Sequence, residues 1–333
     1  MKTITFFNNK GGVGTTTLVY HLAWMLSELG VDVIAADLDP QSNLTSAFLP
    51  EEKVAELWSE GSKSVLAAVQ PLLDRLGDFK APHIEQIERI SLIPGDLALT
   101  AYEDRLALAW PACLDDNVAN AADAFRVMGS FRRIIQAAAE ISKAQVALID
   151  VGPNLGAINR AALIASDYVV MPIGADLFSL RGLETLGPKL REWREGWHTR
   201  RVKGTAPKGW TLPEGRMEPV GYVVLQHAVA RADRPFKAYQ RWIDRIPSNY
   251  RRAVLGQEID ERTPEQDPNR LATLKHYRNL MPMAQDARKP IFALKPADGA
   301  IGSNVEAVKN ARSDFETLAT RIAKECGIEA LLV

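Results

Sequence analysis

Residues 8–17, Asn-Asn-Lys-Gly-Gly-Val-Gly-Thr-Thr-Thr, place three glycines within four positions and then three hydroxyl side chains. Glycine lets the backbone turn tightly, and a helix that starts directly behind such a turn aims its unpaired N–H groups and positive dipole end at one point. A di- or triphosphate binds at such a point. One position departs from the pattern: Thr15 stands where a phosphate loop carries lysine. Three acids could share this chemistry: Asp37 and Asp39 in Asp37-Leu-Asp-Pro-Gln-Ser-Asn-Leu-Thr45, and Asp150 in Asp150-Val-Gly-Pro-Asn-Leu-Gly156. Singly, each is explained as well by a turn or a helix cap. Together, behind a glycine loop, they point to phosphate.

The elements that must position these residues are legible around them. Lys2–Phe7 is rich in β-branched and aromatic residues and reads as a short buried strand. Leu18, Leu22, Met25, Leu26 and Leu29 then recur at helical spacing, and Gly30 is placed to end that helix. Val31–Asp37 and Gln145–Asp150 read as strands ending in the acids, with further strands at Ile90–Pro94, Tyr168–Gly174 and Gly221–His227. In an open parallel sheet the C-terminal strand ends form the ligand crevice, so all three acids can face the loop.

The expected fold is therefore α/β, a doubly wound, mostly parallel sheet flanked by helices. It is expected to be one domain over residues 1–333, with a mostly helical insertion at about 50–90 and a surface loop at about 199–219. Within the insertion, Val65–Leu76 and His83–Arg89 read as helical. Residues 115–124 read as a loop or helix start before Phe131–Ile141, and residues 256–269 as another polar stretch. Trp193 and Trp197, four apart on the helix Leu183–Trp197, read as core or interface anchors.

These motifs resemble the ParA/MinD family of deviant Walker A P-loop ATPases, whose loop has the form Lys-Gly-Gly-Val-Gly-Lys-Thr-Thr. Lys10 matches the family's early signature lysine, Gly11, Gly12, Val13 and Gly14 the body of the loop, and Thr16 and Thr17 its end. Asp37-Leu-Asp-Pro-Gln41 matches the switch segment, and Asp150-Val-Gly-Pro153 matches the later acidic one, with Gly152 in place of a more usual proline. The likeness continues through residues 168–183, 221–227 and 280–288 to the last helix, and the Asp-Pro-Gln switch points to the ParA branch.

The resemblance implies a role for each residue. Thr16 would ligate Mg²⁺ and Asp37 and Asp150 would hold the metal's waters, a sparse ligand set that suits this ion. Asp39 would orient or deprotonate the attacking water, and Lys10 would reach a second subunit's phosphates. Gln226 and Pro282 are adenine-contact candidates by their places in family-like segments. Without a lysine at position 15, one charge-assisted hydrogen bond is lost, roughly 1.5–3 kcal/mol or about ten- to a hundredfold in affinity. Hydrolysis should suffer more than binding, because that lysine also neutralises charge developing during transfer. Either the lysine was replaced in an otherwise intact apparatus, which the intact motif residues favour, or a natural subgroup dispenses with it. The expected state is biased toward a nucleotide-poor form.

With 333 residues, 47% hydrophobic and 24% charged, the chain can bury a large core. No apolar run approaches a membrane span and no signal peptide precedes the first strand, so a bacterial cytoplasmic location is expected. Cys113 and Cys326 are too few and too far apart for a disulfide framework, a zinc site or an iron–sulfur cluster. A net charge of −1 gives no global attraction to nucleic acid. DNA binding would rest on two local clusters, from Arg181 to Lys208 and from Arg231 to Arg252.

The expected function is an ATP-dependent dimerisation switch using ATP/ADP and Mg²⁺. Its expected partners are a second copy on ATP binding, non-specific DNA and a ParB-like or cargo-adaptor protein, with no membrane. The alternative is a pseudo-ATPase scaffold or regulatory subunit acting through a protein partner. A ligase on the same fold would need a further substrate pocket, and no residue cluster demands one.

Overall fold

The computed structural model describes residues 1–59, 63–206, 209–225, 237–258, 263–275, 277 and 279–328. The strands are β1 Lys2–Phe6, β2 Val33–Asp37, β3 Glu85–Ile87, β4 Ile90–Ile93, β5 Val146–Asp150, β6 Tyr168–Gly174, β7 Glu218–Leu225 and β8 Arg270–Leu274. They form one sheet in the order β3-β4-β2-β5-β1-β6-β7-β8, parallel throughout except that β3 runs against β4. β1 lies between β5 and β6, so the chain builds the sheet to one side of β1 and later to the other. That reversal opens a crevice at the C-terminal end of β1.

The helices before β5 are α1 Thr15–Glu28, α2 Asn43–Phe48, α3 Glu51–Trp58, α4 Val65–Leu73, α5 Tyr102–Ala112, α6 Val118–Met128 and α7 Ser130–Ser142. After it come α8 Ala157–Ile164, α9 Leu177–Lys203, α10 Lys237–Ile243, α11 Ile246–Asn249, α12 Leu280–Ala287 and α13 Ser303–Cys326. The sheet is buried on both faces, as parallel sheets require. On β5, Ala147 and Ile149 pack into the layer built by α4 to α9, while Val146 and Leu148 pack into the layer of α1, α2, α3, α12 and α13.

Several elements differ from the sequence expectation. Residues 83–89 do not form a helix: Glu88, at φ 51, closes a tight turn that folds β3 back on β4, and Ser91 donates to Gln86 at 2.9 Å across the hairpin. Residues 118–128 are a full helix, because Asn117 accepts from the amides of Ala119 and Asn120 and starts it. Helix α9 runs on to Lys203, into the expected loop. Trp193 and Trp197 are core residues; the Trp197 indole stacks on Trp110 and donates to the Pro213 carbonyl at 2.9 Å.

Candidate nucleotide-binding site

The loop between β1 and α1 is fastened at its start. The Asn8 amide donates to the Pro172 carbonyl of β6 at 2.6 Å, and its oxygen accepts from the Lys10 amide at 2.9 Å. Gly12 and Gly14 then take left-handed conformations, φ 73 and 88, that only glycine adopts without strain. Helix α1 begins at Thr15 with no side-chain cap and no acid in its first turn, so its N–H groups are free for an anion. They open into a cavity of about 710 Å³ lined by every residue from Lys10 to Thr17, by Asp39, and by Arg288 and Lys289 from the end of α12.

The three acids lie together. Asp37 and Asp150 are register neighbours on β2 and β5, both fully buried, and Asp39 follows at the crevice. Asp37 accepts from the Thr45 hydroxyl and amide at 2.6 and 2.8 Å. Burial still pushes it up to about 7, against the Thr45 bonds. Asp150 has no hydrogen-bond partner on either oxygen. Burial, and then the charge of Asp37, push it well above the usual carboxylate range, with the nearby Thr16 hydroxyl pulling the other way. Asp39 is raised by burial as well, and its Oδ1 accepts from the Gln41 amide at 3.0 Å. A Cβ at Gly152 would lie 3.0 Å from that Oδ1, so glycine there gives the Asp39 carboxylate room.

Such a cluster wants a cation. Two unpaired, buried carboxylate oxygens on Asp150, next to the Thr16 hydroxyl, fit a hydrated Mg²⁺ that takes few direct protein ligands.

Lys10 is half-buried and paired. Its ammonium is 2.6 Å from Asp176 Oδ2, and the same carboxylate caps α9 by accepting from the Ser179 amide at 3.0 Å. Burial would raise Asp176, but the Lys10 and Ser179 bonds outweigh it and hold it below the ordinary range. A smaller cavity of about 170 Å³ adjoins the loop at Val13, Gly14 and Thr17, walled by Leu225, Leu274, Tyr277, Met281 and Phe315. Pro282 is exposed on α12 and is not part of either lining, whereas its neighbour Met281 faces both cavities. Gln226 lies outside the described residues, directly after Leu225.

Sequence reasoning missed Asp176 as the partner of Lys10, the α12 wall, and His21 beneath the loop. A helix end rich in Arg and Lys was readable, but nothing in sequence spacing places it beside residue 15.

The basic clusters are largely engaged. Arg191, Arg194 and Arg200 donate to backbone carbonyls of Ala253, Met217 and Trp110, and Lys189 and Arg181 pair with Glu192 and Glu184. Arg251 is buried against Asp267, and Lys208, Arg231 and Arg234 lie outside the described residues. Both cysteines are buried free thiols. Among the described residues no helix is long and apolar enough to cross a membrane.

Comparison with known proteins agrees with this geometry. A family model described as an AAA domain matches residues 1–200. IncC of Escherichia coli is 32% identical over 186 residues, 56% of this chain and 44% of IncC. The chromosome partitioning protein ParA of Caulobacter vibrioides is 26% identical over 188 residues, 56% of this chain and 61% of ParA, so the match spans less than two thirds of either relative. The septum site-determining protein MinD of Pyrococcus horikoshii, solved with Mg-ADP, shares the fold at TM-score 0.55 and 16% identity over 98% of both chains. With its glycine loop, acidic strand ends and doubly wound sheet, this chain belongs to the ParA/MinD family of deviant Walker A P-loop ATPases.

Proposed function

We propose that the chain binds ATP with Mg²⁺ over its phosphate loop and works as a partition or positioning switch of the ParA type. The observation that carries this reading is the uncapped N-terminus of α1 behind left-handed Gly12 and Gly14, facing the unpaired oxygens of Asp150. Bound phosphates would take the free N–H groups, Thr16, Asp37 and Asp150 would hold the Mg²⁺, and the base would enter the apolar cavity beside Leu225 and Phe315. When bound, Mg²⁺ neutralises charge on the phosphates. Asp39, in the cavity wall, holds the attacking water and takes its proton. Lys10 leaves Asp176 and meets the phosphates of a second copy, which makes the dimer depend on ATP. The dimer then engages DNA or an adaptor protein in the cytoplasm, and hydrolysis releases it.

Thr15 weakens this cycle at its hydrolytic step more than at binding. Gel filtration of this chain and of Thr15→Lys, each with and without Mg·ATP, tests the reading. The lysine form should dimerise with Mg·ATP. If neither form changes its elution and neither binds ATP, the chain is a scaffold and the switch reading fails.

A further inference from the structure

A loop with threonine at position 15 needs its positive charge from elsewhere. Three Lys and Arg side chains line the large cavity: Lys10, Arg288 and Lys289. Two of them are already paired, Lys10 with Asp176 at 2.6 Å and Lys289 with both oxygens of Asp298 at 2.8 and 2.9 Å. Arg288 is exposed and, among the described residues, has neither an ion pair nor a side-chain hydrogen bond. It ends α12 in a left-handed conformation, φ 48 and ψ 47, a place that glycine usually fills. Lys143 ends α7 in the same conformation, so what sets Arg288 apart is that its unpaired cation lines the loop's cavity.

We propose that Arg288 supplies, from the end of α12, the charge to the nucleotide's phosphates that Thr15 cannot. The guanidinium fork suits this, because it can give a phosphate two parallel N–H bonds and keeps its charge at every physiological pH. The cation has been moved to another element rather than lost, which accords with a natural subgroup and not with a disabling replacement. The inference rests on the nucleotide reading above, and the test separates the two.

Calorimetric titration with Mg·ATP and Mg·ADP is made on the full chain, on Arg288→Gly, on Arg288→Lys, on Thr15→Lys and on the double variant Thr15→Lys with Arg288→Gly. Glycine accepts φ 48 without strain, so Arg288→Gly should fold at least as well as the parent. Arg288→Gly should weaken both nucleotides by about ten- to a hundredfold, and Arg288→Lys by less. In the Thr15→Lys background the same glycine change should cost little, because the loop lysine then does the work. Equal binding by the parent and Arg288→Gly overturns the proposal, and so does an equal loss in both backgrounds, which would mark a structural role. Binding by Thr15→Lys alone also overturns it, while the nucleotide reading stands. Failure of both the parent and Thr15→Lys to bind overturns that reading and the proposal with it.

Discussion

At the residue scale, His21 shows how the loop helix is joined to the C-terminal part of the chain. Its Nδ1–H donates to the Thr17 carbonyl at 2.7 Å, its Nε2 accepts from the Ile291 amide at 3.1 Å, and its ring stacks on Phe315 at 5.0 Å. An Nε2 that accepts cannot also carry a proton, so the arrangement needs the neutral ring. Burial pushes its pKa down from 6.5 to about 4, against the pull of the Thr17 carbonyl. The unfolded chain takes up the proton near pH 6.5 and the folded one only near 4. The stabilisation is therefore whole above pH 6.5 and is lost as pH falls toward 4, by about 3 kcal/mol. Urea unfolding at pH 7.5 and 4.5 measures it. His21→Asn should be weaker than the parent at pH 7.5 but lose less on acidification; an equal loss in both would refute the neutral-ring assignment.

At the element scale, one carboxylate fastens three segments at the far edge of the sheet. Asp267 accepts from the Tyr222 hydroxyl of β7 at 2.8 Å, from Arg251 at 2.9 Å on the π-helical turn Tyr250–Leu255, and from the Asn269 amide just before β8. Burial works against the charged form, but Tyr222, Arg251 and Asn269 hold Asp267 below the ordinary range. Asp267→Ala removes at once the buried ion pair with Arg251 and the hydrogen bonds that Tyr222 and Asn269 donate, and guanidinium denaturation should show a loss of about 3–5 kcal/mol. A loss below about 1 kcal/mol, the scale of an exposed pair, would mean that this network does not fasten the edge. Sequence alone did not disclose this edge. β8, Arg-Leu-Ala-Thr-Leu, is short and only half-buried, so it lacks the continuous apolar run that made β1, β2, β5 and β6 legible. The hairpin strand β3 is three residues with two polar side chains and carries no period at all. The glycine loop and the acids were readable because their roles depend on neighbours in sequence. Asp176 was not, because its partner Lys10 lies 166 positions away, and neither was the place of Arg288, which lines the same cavity as the loop from more than 270 positions further along the chain.

At the scale of the whole molecule, the parallel sheet gathers negative charge where water is excluded. Asp37 and Asp150 are neighbours on adjacent strands, Asp39 is one turn away, and all three hold their protons above the usual carboxylate range through burial. The ligand-free protein thus carries a repulsion that a bound cation relieves. A carboxylate whose folded pKa lies above its unfolded value favours folding fully below the unfolded pKa of about 4, and that contribution is lost as pH rises through the raised value, about 7 for Asp37. Asp150→Asn removes the charge of this fully buried side chain at every pH while keeping its size. Without ligand, it should be more stable than the parent at pH 7.5 by about 1–3 kcal/mol, the cost of leaving a buried charged group unsatisfied, and equal to it near pH 4. Mg·ATP should then raise the melting temperature of the parent and not of the variant. Thermal melts from pH 4 to 8 with and without Mg·ATP decide this. A variant no more stable than the parent at pH 7.5 would mean that Asp150 is solvated in the free protein and that the cluster does not hold a place for the ion.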